Sequence, residues 1–86
     1  MLVNGRITHA AISLIYPAGA TIVGPEEELV VIEINGQSTN HKITSLVTKF
    51  ENPLELRAGD VINFKSIKTV HSVTYATVNI LIELDL

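Results

Sequence analysis

The chain reads as an all-β domain, a small antiparallel β-sandwich or jelly roll of about six to eight strands. Three observations predict this class. Apolar residues recur at every second position, the signature of half-buried strands. Turn signals interrupt those runs at short intervals: Asn4-Gly5, Pro17-Ala18-Gly19, Gly24-Pro25, Asn35-Gly36, Asn52-Pro53 and Gly59-Asp60. Val, Ile and Leu make up about a third of the residues, and β-branched side chains suit a pleated surface.

Taken in order, Ile7 to Tyr16 alternates, with Ile12, Leu14 and Tyr16 on one face and His9, Ala11 and Ser13 on the other. Pro17-Ala18-Gly19 then turns the chain. Pro25-Glu26-Glu27-Glu28 has the make-up of a helical first turn, with proline leading and acids at the positive dipole end. The following Leu29-Val30-Val31-Ile32 is β-branched and lacks a 3.6-residue stripe, so a charged loop entering a strand is the better reading. Glu28 to Asn35 places Val30, Ile32 and Ile34 inward, with Leu29, Val31 and Glu33 outward. Asn35-Gly36 is a type I′ hairpin signal that returns the chain through Gln37 to Ile43.

Ile43 to Phe50 continues as strand, with Leu46 and Phe50 on one side and Val47 on the other. Leu54-Glu55-Leu56, a Gly59-Asp60 turn, and Ile62-Asn63-Phe64 form a strand-turn-strand unit around a position that glycine accommodates at least cost. Val70 to Leu86 has room for two strands or one bent strand. Its end alternates Ile80, Ile82, Leu84 and Leu86 against Asn79, Leu81, Glu83 and Asp85, which suggests a strand in the middle of a sheet. The expected core is Ile12, Leu14, Val30, Ile32, Ile34, Leu46, Leu54, Leu56, Ile62, Phe64, Ile80, Ile82 and Leu84. The expected structural turns centre on Gly19, Asn35, Gly36, Gly59 and Asp60.

With 86 residues, the sequence forms one domain (1–86), near the small end of what folds without cross-links. It has no cysteine, which excludes disulfides and thiolate metal sites. A net charge of -3, with six Lys and Arg scattered singly, offers no stripe for nucleic acid or anionic membrane. No apolar run approaches the roughly 20 residues of a membrane span. Arg6, the run Ala10 to Tyr16 and Pro17-Ala18-Gly19-Ala20 loosely mimic a signal peptide, but the run is short, with Asn4 and His9 ahead of it and Ser13 interrupting it.

Hydrophobic residues reach 47% and charged residues only 17%, below the roughly 25% of ordinary soluble domains. So small a body cannot hide all that apolar surface internally, and a second copy or another partner is expected to cover the surplus. The outward-phased apolar residues Leu29, Val31, Val47, Val61, Ile67, Val73 and Leu81 are the candidate oligomer interface.

No pattern points to catalysis. His9, His41 and His71 are far apart, with no H-x-H or H-x-x-x-H pair to start a metal site. Glu26-Glu27-Glu28 has the oxygens for calcium but no D-x-D-x-D-G loop, so it reads as a solvated loop. Asp60 is expected to accept hydrogen bonds from turn backbone groups. The serines lie in no G-x-S-x-G elbow, and the glycines form no phosphate loop. Four aromatics without Trp are poor material for stacking sugars or single-stranded nucleic acid. The chain therefore reads as a non-enzyme with no cofactor and no metal site.

At Tyr16-Pro17-Ala18-Gly19, at Leu54-x-Leu-Arg-Ala-Gly-Asp-Val-Ile and in the alternating last strand from Val78 to Leu84, the chain resembles small β-sandwich phage virion proteins. These include head-decoration, tail and fibre-tip domains, similar to jelly rolls of the C1q and tumour-necrosis-factor type. The chain is shorter than a full eight-stranded head of that type. The resemblance implies a structural subunit that forms homotrimers or larger rings, alone or with other virion proteins, and is located in the virion if viral. The alternative is a binding module whose end loops, near Pro17 to Glu27 and at Asn52-Pro53, recognise a glycan or protein receptor. A cupin-like enzyme is a third reading, which would require converging His and Glu ligands.

Overall fold

The computed structural model describes residues 2–15, 24, 26–68 and 75–86. Six strands form from the alternating runs: β1 (Gly5–Ile15), β2 (Val30–Ile34), β3 (Gln37–Ile43), β4 (Thr48–Leu56), β5 (Ile62–Ser66) and β6 (Tyr75–Leu84). They make two antiparallel sheets of three, sheet A in the order β4-β1-β6 and sheet B in the order β3-β2-β5, packed as a small β-sandwich. The all-β expectation holds. The Glu26–Glu28 segment enters β2 without helix, as the β-branched run after it requires.

The β2–β3 hairpin turns on Asn35 (φ 52°) and Gly36 (φ 81°), the two left-handed residues that a type I′ turn demands. At the other predicted turn, Gly59 has φ 91° and the Asp60 amide donates to the Arg57 carbonyl at 3.0 Å. The chain crosses between sheets at Thr44–Val47, where the Thr44 carbonyl accepts from the Ile12 amide at 2.9 Å. β3 and β4 therefore meet at one flank, while β5 and β6 lie at the opposite flank.

The core comprises Ile7, Ala10, Ile12, Leu29, Val30, Ile32, Ile43, Phe50 and Leu56, with Leu14, Ile34, Leu54, Val78, Ile80, Ile82 and Ile62 packed against it. Ile7 belongs to the core although it shares odd-number phase with the outward-facing His9, Ala11 and Ser13. A bulge explains it. Ile7 pairs with Ile82 but His9 pairs with Leu81, so Thr8 is an extra residue and the inward phase passes from Ile7 to Ala10.

Several expectations are corrected. Leu46 is half-exposed because it sits on the crossover between the sheets, not in a continuous strand. Phe64 and Leu84 are inward in phase but half-exposed, because β5 and β6 are outer strands with no neighbour beyond them among the described residues. β6 closes one side of sheet A instead of lying in its middle, which β1 occupies. Asn4-Gly5 is not a turn: Gly5 opens β1, where an added Cβ would stand 2.7 Å from the Glu83 carbonyl oxygen. Asn52-Pro53 lies inside β4, within a segment from Phe50 to Pro53 that bulges opposite the single residue Thr8. Proline is tolerated there because β4 is an outer strand. The Pro17-Ala18-Gly19 turn, with Gly19, lies outside the described residues, as do Tyr16, His71 and Val73.

Candidate self-association surface

The outer face of sheet B is polar. On central β2, Val31 has Lys42 and Lys65 as register partners, while Glu33 faces Ser38 and Asn63. The Lys42 ammonium stands 3.2 Å from the Glu28 carboxylate. Val31 is only 7% exposed, so it adds nothing to an interface. Lysine stems flanking a central-strand valine cover it while keeping their charges in water. Leu29, 2% exposed, is also removed from the candidate interface. It precedes β2, so the strand's phase does not reach it. Its amide donates to the Ile43 carbonyl and its carbonyl accepts from the Ile67 amide, and these bonds hold it in the core.

The outer face of sheet A changes character along its length. At one end Arg6 on β1 lies between its register partners Glu55 and Glu83, and its guanidinium also reaches Asp85 at 2.7 Å. The Asp85 hydrogen bond and charge, then the charges of Glu55 and Glu83, raise the Arg6 pKa above its usual range. Further along β1, past His9 and its register partner Lys49, the face loses charge: Ala11 pairs with Asn79, Ser13 with Thr77, and Ile15 stands half-exposed. Ala11 is too short to fill the space among His9, Val47, Asn79 and Leu81, which leaves a shallow recess of about 280 Å³. Val47 and Leu81 are 77% and 57% exposed on its rim. Of the predicted interface residues that the structure describes, these two are the pair that the fold brings to one site.

Val61 and Ile67 are also exposed, but they stand just outside opposite ends of β5. β5 borders the flank where, among the described residues, the inner faces of the sheets are open. There a second hollow of about 230 Å³ is bounded by Ile12, Leu14, Leu29 and Ala76, with Ser66 and Lys68 at its polar side. Lys68 bonds Glu27 at 2.6 Å, so Glu27 and Glu28 of the acidic cluster are each matched by a lysine.

At the opposite flank, the β3–β4 corner is closed by His41. Its Nε2–H donates to the Asn52 carbonyl at 2.7 Å, while Nδ1 is buried without a partner among the described residues. The ring stands edge-on to Phe50 with centroids 4.8 Å apart. Beside it lies a hollow of about 320 Å³ lined by Asn40, His41, Phe50, Glu51 and Asn52. His9 is on the outer face of sheet A, its Nδ1 2.9 Å from Thr8 Oγ1. Among the described residues no three His, Cys, Asp or Glu side chains converge as metal ligands, and no helix is long and apolar enough to cross a membrane.

Asp60 has the predicted turn role. Its Oδ2 accepts from the Arg57 amide at 2.8 Å and its Oδ1 from Asn35 Nδ2 at 3.0 Å. The Arg57 amide first, then the Asn35 amide, hold its carboxyl below the ordinary aspartate range. Sequence reasoning missed the recess around Ala11, because a lone alanine in outward phase carries no signal until its larger neighbours are placed around it.

Compared with protein-family models, curated proteins and solved structures, the chain matches none.

Proposed function

We propose that the chain is a non-enzymatic structural subunit that self-assembles into a symmetric homo-oligomer, as a capsid, decoration or tail component of a virion. The observation that carries this reading is the contrast between the two outer faces. Sheet B is clothed in lysine, glutamate and amide side chains, whereas the middle of sheet A offers Val47 and Leu81 around Ala11, with Ile15 exposed further along β1 and Lys49 as the charge beside His9. Water-facing apolar side chains gathered on one face of a small domain favour a covering partner. The virion placement is supported by the Tyr16-Pro17-Ala18-Gly19 and Leu56-Arg57-Ala58-Gly59-Asp60-Val61 resemblance.

Light scattering on the purified chain tests the assembly, with a stable oligomer expected at micromolar concentration. A clean monomer there overturns the reading. Quantitative mass spectrometry of purified particles tests the virion role, which requires the chain in fixed stoichiometry with the capsid protein.

A second reading, a binding module for a glycan or protein receptor, is favoured by the hollow at the β3–β4 corner, where Asn40, Asn52 and Glu51 offer polar groups beside Phe50. Glycan-array binding by the isolated chain, lost in Asn52→Ala, supports it.

A further inference from the structure

Each three-stranded sheet has two outer strands, so four strands present a row of backbone groups without a ladder partner among the described residues: β4 and β6 in sheet A, β3 and β5 in sheet B. Three of the four carry features that discourage pairing with another chain. β4 has Pro53, a bulge, and the charges Lys49, Glu51 and Glu55. β3 runs Gln-Ser-Thr-Asn-His-Lys before its terminal Ile43 and is tied to β4 through His41 and Asn52. β5 is five residues long and carries Lys65.

β6 has none of these. Its ten residues include no Pro, Gly or Lys, and its one charge, Glu83, is held by Arg6. Every residue from Tyr75 to Leu84 is matched by β1, and the extra residue at the bulge belongs to β1, so β6 runs unbroken. Leu81 on one face and Leu84 on the other are 57% and 47% exposed along it.

We propose that β6 is the pairing edge and that its partner is β6 of a second copy, joined antiparallel across a two-fold axis. This rests on the self-association reading above and gives it an edge contact that includes Leu81 and leaves Val47, on the β4 side of β1, outside it. The two sheets A then become one continuous sheet of six strands. Charge selects the direction. Arg6 with Glu55, Glu83 and Asp85 leaves an excess of negative charge at one end of β6. Parallel strands would stack two such clusters, whereas antiparallel strands hold the two Glu83 side chains roughly 20 Å apart, beyond the reach of their repulsion in physiological salt. An axis at Ile80 sets Ala76 against Leu84 and Val78 against Ile82 of the second copy on the inner face, which covers the exposed Leu84 with a small neighbour. On the outer face it sets Asn79 against Leu81 and Thr77 against Glu83. The closed unit is a dimer, in contrast to the trimer implied by the virion resemblance.

Hydrogen exchange on the full chain at nanomolar and micromolar concentration, with light scattering, tests the proposal. Alternate β6 amides, those turned away from β1, are expected to gain protection with concentration. Asn79→Lys combined with Leu81→Lys places like charges opposite each other on both sides of the axis and is expected to weaken association about tenfold or more. Thr77→Lys, facing Glu83 of the second copy, leaves association unchanged or tighter. A wild type that stays monomeric at micromolar concentration overturns both this proposal and the self-association reading. An oligomer whose outward β6 amides stay unprotected, or that yields to Val47→Lys or Ile67→Lys but not to the Asn79 and Leu81 lysines, overturns the β6 edge alone.

Discussion

Asn35 Nδ2 donates to Asp60 Oδ1 at 3.0 Å, and this bond joins two turns whose residues are 25 positions apart in the chain. The same Asn35 side chain accepts from the Val61 amide at 2.9 Å, and the Asn35 amide donates to the Val61 carbonyl at 2.9 Å. Asn35 therefore shapes its own hairpin through a left-handed backbone and docks the Arg57–Asp60 turn through its side chain. Asn4 supports that turn from the far end of the chain, accepting from the Ala58 amide at 2.9 Å.

Asp60→Ala is expected to lower the melting temperature by several degrees, since it frees the Arg57 backbone amide and the Asn35 side-chain Nδ2 together. The pH dependence has a definite sign. A carboxyl held below its ordinary range in the folded chain binds fewer protons there than in the unfolded chain, so its contribution is complete above the ordinary aspartate value and fades as pH falls through the lowered one. Thermal melts taken downward from about pH 5 show that loss in the wild type, and Asp60→Asn flattens it. Equal slopes for both proteins contradict the assignment.

Two glycines fail on substitution for different reasons, and urea titration separates them. Gly36 has open space around it but φ 81°, so Gly36→Ala is expected to cost about 1 kcal/mol of backbone strain. Gly5 is a matter of space: its new methyl group would meet the Glu83 carbonyl at 2.7 Å, and β1 and β6 would have to separate. Gly5→Ala is the more damaging, and it also slackens the Arg6–Glu83 pairing beside it, which amide exchange in β6 reports.

Ile7→Ala is expected to lose about 2–5 kcal/mol, because Ile7 is fully buried and its removal leaves a cavity. Leu46→Ala, half-exposed on the crossover, is expected to change stability by less than about 0.5 kcal/mol. The alternation of the sequence alone ranks these two the other way, so denaturation of the pair tests the bulge at Thr8 directly.

Arg6→Met leaves Glu55, Glu83 and Asp85 facing one another without their shared cation. The melting temperature is expected to fall, most strongly at low ionic strength, and added salt to recover part of the loss as it screens the carboxylates. A deficit unchanged by salt points to lost packing of the arginine stem instead.

Much of the fold was legible in local pattern. The Asn35-Gly36 hairpin, the Gly59-Asp60 turn and the inward phases of Ile12, Val30, Ile32 and Leu56 each follow from a few neighbouring residues, and each stands as read. The errors share a cause. Ile7 was hidden by one extra residue, since a bulge reverses phase without a mark in composition. Phe64 and Leu84 have the same alternation as core residues and differ only in lying on outer strands. Val31 and Glu33 share a phase, yet Val31 is sheltered by lysines contributed from two other strands.

The surface followed the same division. Excess apolar content announced that something would remain uncovered, and Val47 and Leu81 were both among the candidates. Their convergence around Ala11 depends on β1 lying between β4 and β6, a pairing made between distant parts of the chain.

By itself, then, the sequence determined the strand class, the hairpin, the turn chemistry and the surplus of apolar side chains, because those depend on backbone sterics and on neighbours one or two residues away. Tertiary structure alone decided which strands are outermost, where the phase slips and which apolar residues meet. Those outcomes arise from ladders between segments far apart in the chain, whose order local alternation does not encode.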